Sequence, residues 1–213
     1  MSKGNTVKFY QTGYQAVTGY ATGKAITGIT NAKPAVVTAV GHEFTDGMVI
    51  KLVDIVGMTN LNGKHYVVNQ LTADTFELIN SDTTNEDVYV SGGTASAGTL
   101  SGTCQITGSG HGSGTTTEIT TETNCGINKD FGAPDDGQAT FNYNFAPADF
   151  IRALEASRKD VTETAIITTM PKNAGVMIDI GVVVSTTMDG AAGGVWSGTA
   201  TMTRTQPRVD LEV

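Results

Sequence analysis

Residues 138–159 read QATFNYNFAPADFIRALEASRK, and this stretch decides the fold class. Its first part alternates apolar and polar side chains, with Ala139, Phe141, Tyr143 and Phe145 set against Gln138, Thr140, Asn142 and Asn144. Alternation with a period of two is typical of a strand that buries one face and leaves the other in water. The pattern therefore predicts a half-buried antiparallel strand.

The rest of the stretch predicts one helix from Pro147 to about Arg158. Pro147 suits a first helical turn, where its missing N–H would have no partner, and Asp149 lies at the positive end of the helix dipole. An apolar stripe follows at helical spacing, formed by Phe150, Ile151 and Leu154. We expect this helix to cover one face of a sheet.

The composition supports a mainly β protein. Among 213 residues 34 are Thr and 26 are Gly, and Thr favours strands while Gly punctuates them. The formal net charge is -8, which does not suit a protein that wraps nucleic acid by neutralising phosphates. No apolar run is long enough to span a membrane, and no apolar segment near the N-terminus indicates a signal peptide.

Residues 1–25 and 96–213 are expected to form one β-sandwich or barrel domain. Its further strands are predicted at Val7–Tyr10, Leu100–Thr107, Thr115–Thr121, Thr162–Met170, Gly175–Met188 and Val195–Thr205. In Gly175–Met188 the apolar residues fall on one face and Asp179 on the other. The run Gly108–Gly114 predicts a flexible loop, and Arg208–Val213 an extended tail.

Residues 26–95 are expected to form an inserted, small β-barrel-like module. Its strands are predicted at Ala35–Val40, Met48–Asp54, Tyr66–Val68, Thr75–Ile79 and Val88–Val90. Asn62-Gly63 is typical of a hairpin turn, and Ser91–Ala95 is interpreted as an exit linker. The module contains eight acids and three bases, a net charge of -5, which leaves -3 for the rest of the chain.

No complete catalytic, cofactor or metal motif is present. Gly57–His65 has five residues between its glycines where a phosphate loop has four, and Gly108–Gly114 lacks the dinucleotide-binding spacing. The adjacent Asp135 and Asp136 are typical of a turn. The three His residues have no companions at zinc-ligand spacing. We therefore expect no catalytic, cofactor or metal site, and no enzymatic activity.

The two cysteines allow alternatives. Cys104 is predicted to be a buried free thiol, because it shares a strand face with Leu100 and Ile106. A disulfide between Cys104 and Cys125 remains possible, although no secretory signal supports an oxidising compartment.

The order of elements in residues 96–213 resembles the tail tube (major tail) proteins of long-tailed bacteriophages. The resemblance follows the Thr-rich strand Thr115–Thr121, a loop ending at Gly137, the aromatic strand Thr140–Phe145, the helix Pro147–Glu155, and two long strands ending at Thr205. It implies a β-sandwich or barrel with one packed α-helix, and it extends to Val7–Tyr10.

The inserted module is similar to the first catalytic cysteine half-domain of ubiquitin-activating enzymes. The matching residues are Pro34–Thr38, Gly41-His42, Asp46-Gly47, Gly57–Thr59, Leu61–Gly63 and Thr75–Leu78. No cysteine lies within residues 26–95, so the resemblance brings no thioester chemistry. We expect the module to lie on the exterior of a tube.

The tail tube resemblance implies a structural virion protein made in the cytoplasm of the host bacterium. Such subunits form hexameric rings that stack around a channel, through which DNA passes without specific binding. The implied partners are other copies of the chain, the tape-measure protein, and the tail terminator and tip proteins. An acidic, Thr-lined channel would repel phosphates. Predicted contacts between rings are Phe9, Tyr10, Tyr14, Gly110, His111, Gly112 and Arg208.

An alternative function is virion decoration or host adhesion. Tyr10, Tyr14 and Tyr20 lie close in sequence to the module and could contact glycans, although core packing or contacts between subunits explain them at least as well.

Overall fold

The computed structural model describes residues 9–212 except 113, 117, 124, 125, 132–134 and 147, and between 118 and 131 it describes the backbone only. Sixteen strands and one α-helix form in the described residues. The strands are β1 Gly13–Tyr20, β2 Lys24–Ala25, β3 Gly28–Ile29, β4 Ala35–Thr38, β5 Val49–Val56, β6 His65–Gln70, β7 Thr75–Leu78, β8 Ser91–Thr103, β9 Ile106–His111, β10 Glu118–Thr123, β11 Gly126–Phe131, β12 Gln138–Asn144, β13 Thr164–Thr169, β14 Val176–Asp189, β15 Ser197–Arg204 and β16 Val209–Leu211. The helix α1 is Asp149–Asp160, and short 3-10 turns lie at Thr59–Leu61 and Pro171–Asn173.

Fourteen of the strands belong to one antiparallel sheet that does not close. Its order is β3-β4-β7-β6-β5-β8-β1-β13-β14-β15-β12-β9, with β16 added to β14 and β2 to β8, while β10 and β11 pair separately. The sheet folds over on itself and brings β1 close to β9. This is shown by the hydrogen bond between the Tyr14 hydroxyl on β1 and Ser109 Oγ on β9, at 2.7 Å. The expectation of a mainly β fold with one packed helix is confirmed.

The predicted exit linker is wrong, because Ser91–Ala95 is the first part of the 13-residue strand β8. Up to Ala97, β8 pairs with β5, and from Gly98 onward it pairs with β1. Its glycines permit close packing rather than flexibility. A Cβ on Gly93 would lie 2.7 Å from Ile55 Cγ1, and one on Gly98 would lie 2.9 Å from Val17 Cγ2.

The body of the sheet is covered on both faces. On one face Ile166 of β13 joins Phe141, Tyr143 and the α1 stripe in one core. On the other face Ile167 packs with Val49 and Val67 from the module. The predicted alternation of Gln138–Phe145 is confirmed for β12, and the predicted stripe Phe150, Ile151 and Leu154 is buried. The division into domains at residues 25 and 95 stays a prediction.

Several local predictions are wrong. Phe9 and Tyr10 form a bend and turn, Val88–Val90 has no strand, and Gly108–His111 lies in strand β9 instead of a loop. The remaining residues of the Val7–Tyr10 strand lie outside the described residues. Cys104 is exposed at the bend between β8 and β9. The C-terminal tail pairs with β14 as β16, which supplies hydrogen bonds that a free tail would leave to water.

Two predicted turns take different forms. Asn62-Gly63 lies in a longer connection between β5 and β6, where the Asn62 side chain accepts from Ile55 N at 2.8 Å and donates to Ile55 O at 2.9 Å. Asp179 is fully buried on β14 rather than facing solvent, because both faces of that strand are covered at this point.

A buried histidine joins the module to the body. His65 on β6 is 0% exposed, and its backbone N–H donates to Glu163 Oε2 at 2.9 Å. Its ring Nε2 lies 2.5 Å from the Tyr20 hydroxyl, and its carbonyl accepts from Gln206 Nε2 at 2.8 Å. Thr205 Oγ1 donates to the other Glu163 oxygen at 2.6 Å. The module is therefore fastened by polar contacts in addition to the shared strand.

The first prediction concerns Gly93. Gly93→Ala is expected to lower the free energy of unfolding by about 1–3 kcal/mol, because Gly93 has a φ of 95° and no room for a Cβ. Gly19→Ala is the control, since nothing lies within 4 Å of its Cβ position. Urea unfolding of both variants measures the difference. Equal stabilities would contradict the close approach.

The second prediction concerns Glu163. Burial alone would raise its pKa, but hydrogen bonds from His65 and Thr205 lower the pKa below its ordinary value of 4.5. The folded state therefore gains stability from Glu163 above about pH 4.5 and loses it as the pH falls further. Glu163→Gln should lower the free energy of unfolding by about 1–2 kcal/mol at pH 7, and by less at pH 3.

Urea titrations at both pH values measure this, with the exposed Asp87→Asn as control. A Glu163→Gln deficit that stays constant or grows on acidification would contradict the assigned pKa direction.

Candidate assembly surface

The exposed face of the body sheet carries a charge-free array of hydroxyl and amide groups. Strand register aligns two rows of residues across β14, β15, β12 and β9: Thr187, Thr199, Asn142 and Gly108, and beside them Ser185, Thr201, Thr140 and Gly110. All eight residues are exposed or half-buried. We call this array the hydroxyl face. It lies opposite α1, because the alternate residues Phe141, Ala200 and Met202 pack in the core around the helix.

The hydroxyl face is internally hydrogen-bonded and neutral. Thr199 Oγ1 donates to Asn142 Oδ1 at 2.9 Å across the β15–β12 pair. None of its eight residues is Lys, Arg, Asp or Glu. A surface without cations has no group that could hold a phosphate by charge, and one without carboxylates does not repel it strongly.

Three of the predicted contact residues line an apolar groove at the fold-over of the sheet. Phe9, Tyr10 and Tyr14 share this groove of about 660 Å³ with Cys104 and Ile106. Tyr10 is 77% exposed and Phe9 47%, while Tyr14 is buried. Burial raises the Tyr14 hydroxyl pKa more than the hydrogen bond to Ser109 lowers it.

His111, another predicted contact, lies in a buried charge cluster. Its Nδ1 donates to Asp179 Oδ2 at 2.7 Å, and Arg204 Nε donates to Asp179 Oδ1 at 2.5 Å. Arg204 Nη1 also donates to the carbonyls of Gly112 and Asp136. Burial alone would raise the Asp179 pKa, but His111 and Arg204 lower it. The cluster joins β9, β14, β15 and the segment before β12.

The remaining predicted contacts, Gly110, Gly112 and Arg208, are spread over two places. Gly110 belongs to the hydroxyl face, whereas Gly112 and Arg208 line a second groove, of about 310 Å³, with Arg204. Arg208 is engaged within the chain by a bidentate pair with Asp210, at 2.7 and 2.9 Å. The seven residues therefore do not form one site.

Sequence reasoning missed the buried cluster and part of the exposed apolar surface. Arg204 follows Ala200 and Met202 at the inward positions of β15, which was the available signal for burial. Trp196 and Phe145 are 56% and 39% exposed where β15 begins and β12 ends, and Phe145 N donates to Trp196 O at 2.7 Å. Neither aromatic residue was predicted as a contact.

Neither a metal site nor a membrane-spanning helix is found among the described residues. No group of three His, Cys, Asp or Glu side chains there could hold a metal ion. No helix in the described part of the chain is long and apolar enough to cross a membrane.

Comparison with known protein families finds a match in the module. Residues 32–97 match the family model of the ubiquitin-activating enzyme E1 FCCH domain, as the sequence resemblance of the module predicted. The matched stretch contains no cysteine. No curated protein matches the chain.

The third prediction concerns the buried cluster. Asp179→Ala is expected to lower the free energy of unfolding by about 3–5 kcal/mol, because it leaves the Arg204 guanidinium buried without a counter-charge. The double variant Asp179→Leu/Arg204→Met should destabilise the fold less, since it removes both charges. Thermal and urea unfolding measure these changes, with the exposed Asp189→Ala as control. A loss below about 1 kcal/mol for Asp179→Ala would contradict the assignment.

Proposed function

We propose that this chain is the structural subunit of a bacteriophage tail tube, in which hexameric rings stack around a channel that conducts DNA. The order of elements supports this proposal. Strand β12 is followed by helix α1 and then by strands β13 to β15, as the tail tube resemblance implies. Under this proposal the chain is a virion component without catalysis, and its partners are its own copies, the tape-measure protein and the tail terminator and tip proteins.

The hydroxyl face is the single observation that carries the proposal. A conduit for DNA must present a continuous surface that does not hold phosphates, and eight neighbouring positions on four strands present only hydroxyl, amide and glycine groups. The expected acidic lining is not required on this face, because the absence of cations already prevents charge-driven binding. We propose that this face lines the channel.

The module stays clear of the proposed channel lining. Val49 and Val67 pack on the body beside β13 and β14, on the same side of the sheet as the hydroxyl face but away from its eight residues. The module can therefore project from the body without covering the proposed channel lining.

Electron microscopy of the purified chain tests the function. We expect hollow tubes of stacked rings, whose inner wall in a reconstruction is formed by β14, β15, β12 and β9. Persistent monomers at high concentration, together with virions whose tubes lack this chain, would overturn the proposal.

The fourth prediction concerns the neutrality of the hydroxyl face. Thr201→Lys places a cation in it, so tubes of this variant should retain a short DNA duplex at low salt and release it as salt rises. Tubes of the wild type and of Thr201→Ser should retain none under either condition. Equal retention by all three would show that this face does not meet the channel.

Virion decoration or adhesion is a second candidate, favoured by apolar side chains on the module. Val56, Val88 and Val90 are 51%, 69% and 68% exposed, and Val90 N donates to Val56 O at 2.9 Å, so they lie together. Binding of the full chain to host cells or to a glycan array, lost in the Val88→Ser/Val90→Ser variant, would favour this function.

A further inference from the structure

Exposed apolar side chains gather at the bend where β8 passes to β9. Two groups lie near it, one before β1 and on the bend, the other at the end of β12 and the start of β15. We call them together the corner patch: Phe9, Tyr10, Cys104, Phe145, Val195 and Trp196.

Backbone hydrogen bonds connect the segments that carry the two groups. Phe9, Tyr10 and Cys104 line the same groove, and Gln105 follows Cys104 in the chain. The Gln105 carbonyl accepts from Asn144 N at 2.9 Å, and the next residue, Phe145, donates to the Trp196 carbonyl. The Trp196 ring lies over Gly190, where a Cβ would be 2.6 Å from the ring.

The area of the patch is at the upper end of what a monomer leaves in water. Tyr10 and Val195 are 77% and 69% exposed, and Trp196 is 56% exposed. With aromatic side chains of roughly 150–250 Å² each, the patch exposes about 500–600 Å². That approaches the area of about 800 Å² that each partner buries in a stable interface, and it is at the upper end for monomers.

Charge indicates which partner fits. Each copy of the chain carries a net charge of -8, so two copies repel one another over most of their surfaces. The corner patch contains no acidic or basic residue, so two copies can meet there without opposing like charges. Beside the patch, β9 pairs only with β12 in the described part of the chain, and its residues Ile106–Gly110 lack the charges and prolines that usually protect a sheet edge.

We propose that the corner patch is the surface on which a second copy of this chain docks, with Tyr10 and Trp196 as its anchors. This docking site rests on the proposed tube assembly, for which it names one surface of contact between copies of the chain. Aromatic side chains at the centre of an uncharged patch typically carry most of the binding energy of an interface.

The test compares Tyr10→Ser/Trp196→Ser with Val40→Ser, which removes an equally exposed apolar side chain, 71% exposed, from the module. Sedimentation velocity and electron microscopy over a concentration series measure the assembly threshold. We expect the double variant to raise that threshold at least tenfold and Val40→Ser to leave it unchanged. Circular dichroism and thermal melting should show both variants folded, because exposed substitutions alter stability little.

Cys104 provides a second measurement that needs no change in the patch. In a Cys125→Ser background, its reaction with a maleimide should slow at least tenfold when the chain assembles. Tubes that form at the wild-type threshold in the double variant, with Cys104 reactive in them, would overturn the docking site and leave the tube function standing. Wild-type dimers that protect Cys104 without forming tubes would support the docking site and overturn the tube function. A wild type that stays monomeric would overturn both.

Discussion

The structure depends on one strand that belongs to two hydrogen-bonded ladders. β8 runs for 13 residues without interruption, pairing first with β5 of the module and then with β1 of the body. A strand cannot turn within a ladder without breaking hydrogen bonds, so β8 fixes the direction of the module relative to the body. Gly93 and Gly98 let neighbouring side chains approach the strand at the two ladders.

That shared strand determines which surfaces are covered. With the module placed on one face of β13 and β14, and α1 on the other, Ile166 and Ile167 are both buried although they point in opposite directions. The covering ends farther along β14, after the irregularity between Val183 and Ser185. Beyond it the face opposite α1 is open and carries the hydroxyl face, and the corner patch lies at that end of the body. The proposed channel lining and docking surface are thus parts of the body that its own layers leave uncovered.

Prediction succeeded where the pattern was local. The alternation in β12 and the stripe of α1 each report burial directly, because a period of two or of 3.6 follows from backbone geometry alone. It failed where the same residues serve two purposes. The glycines of Ser91–Ala95 and Gly108–Gly114 have the composition of linkers, yet both runs lie in strands, since a glycine in a sheet can also mark close approach of a neighbour. Cys104 was expected inside because the strand was extended through a residue at which the chain bends.

The sequence by itself determined the mainly β class, the helix and the resemblance of the module, because each follows from short-range periodicity or from motifs that lie close together in the chain. Only the tertiary structure decided that Asp179, His111 and Arg204 meet in the core, and that Trp196 and the groove lined by Tyr10 both lie beside the end of β12. These residues are separated by 25 to 186 positions, and strand pairing together with the fold-over of the sheet brings them to their places. Charge placement likewise depends on which face of a strand becomes covered, and register with distant strands sets that face.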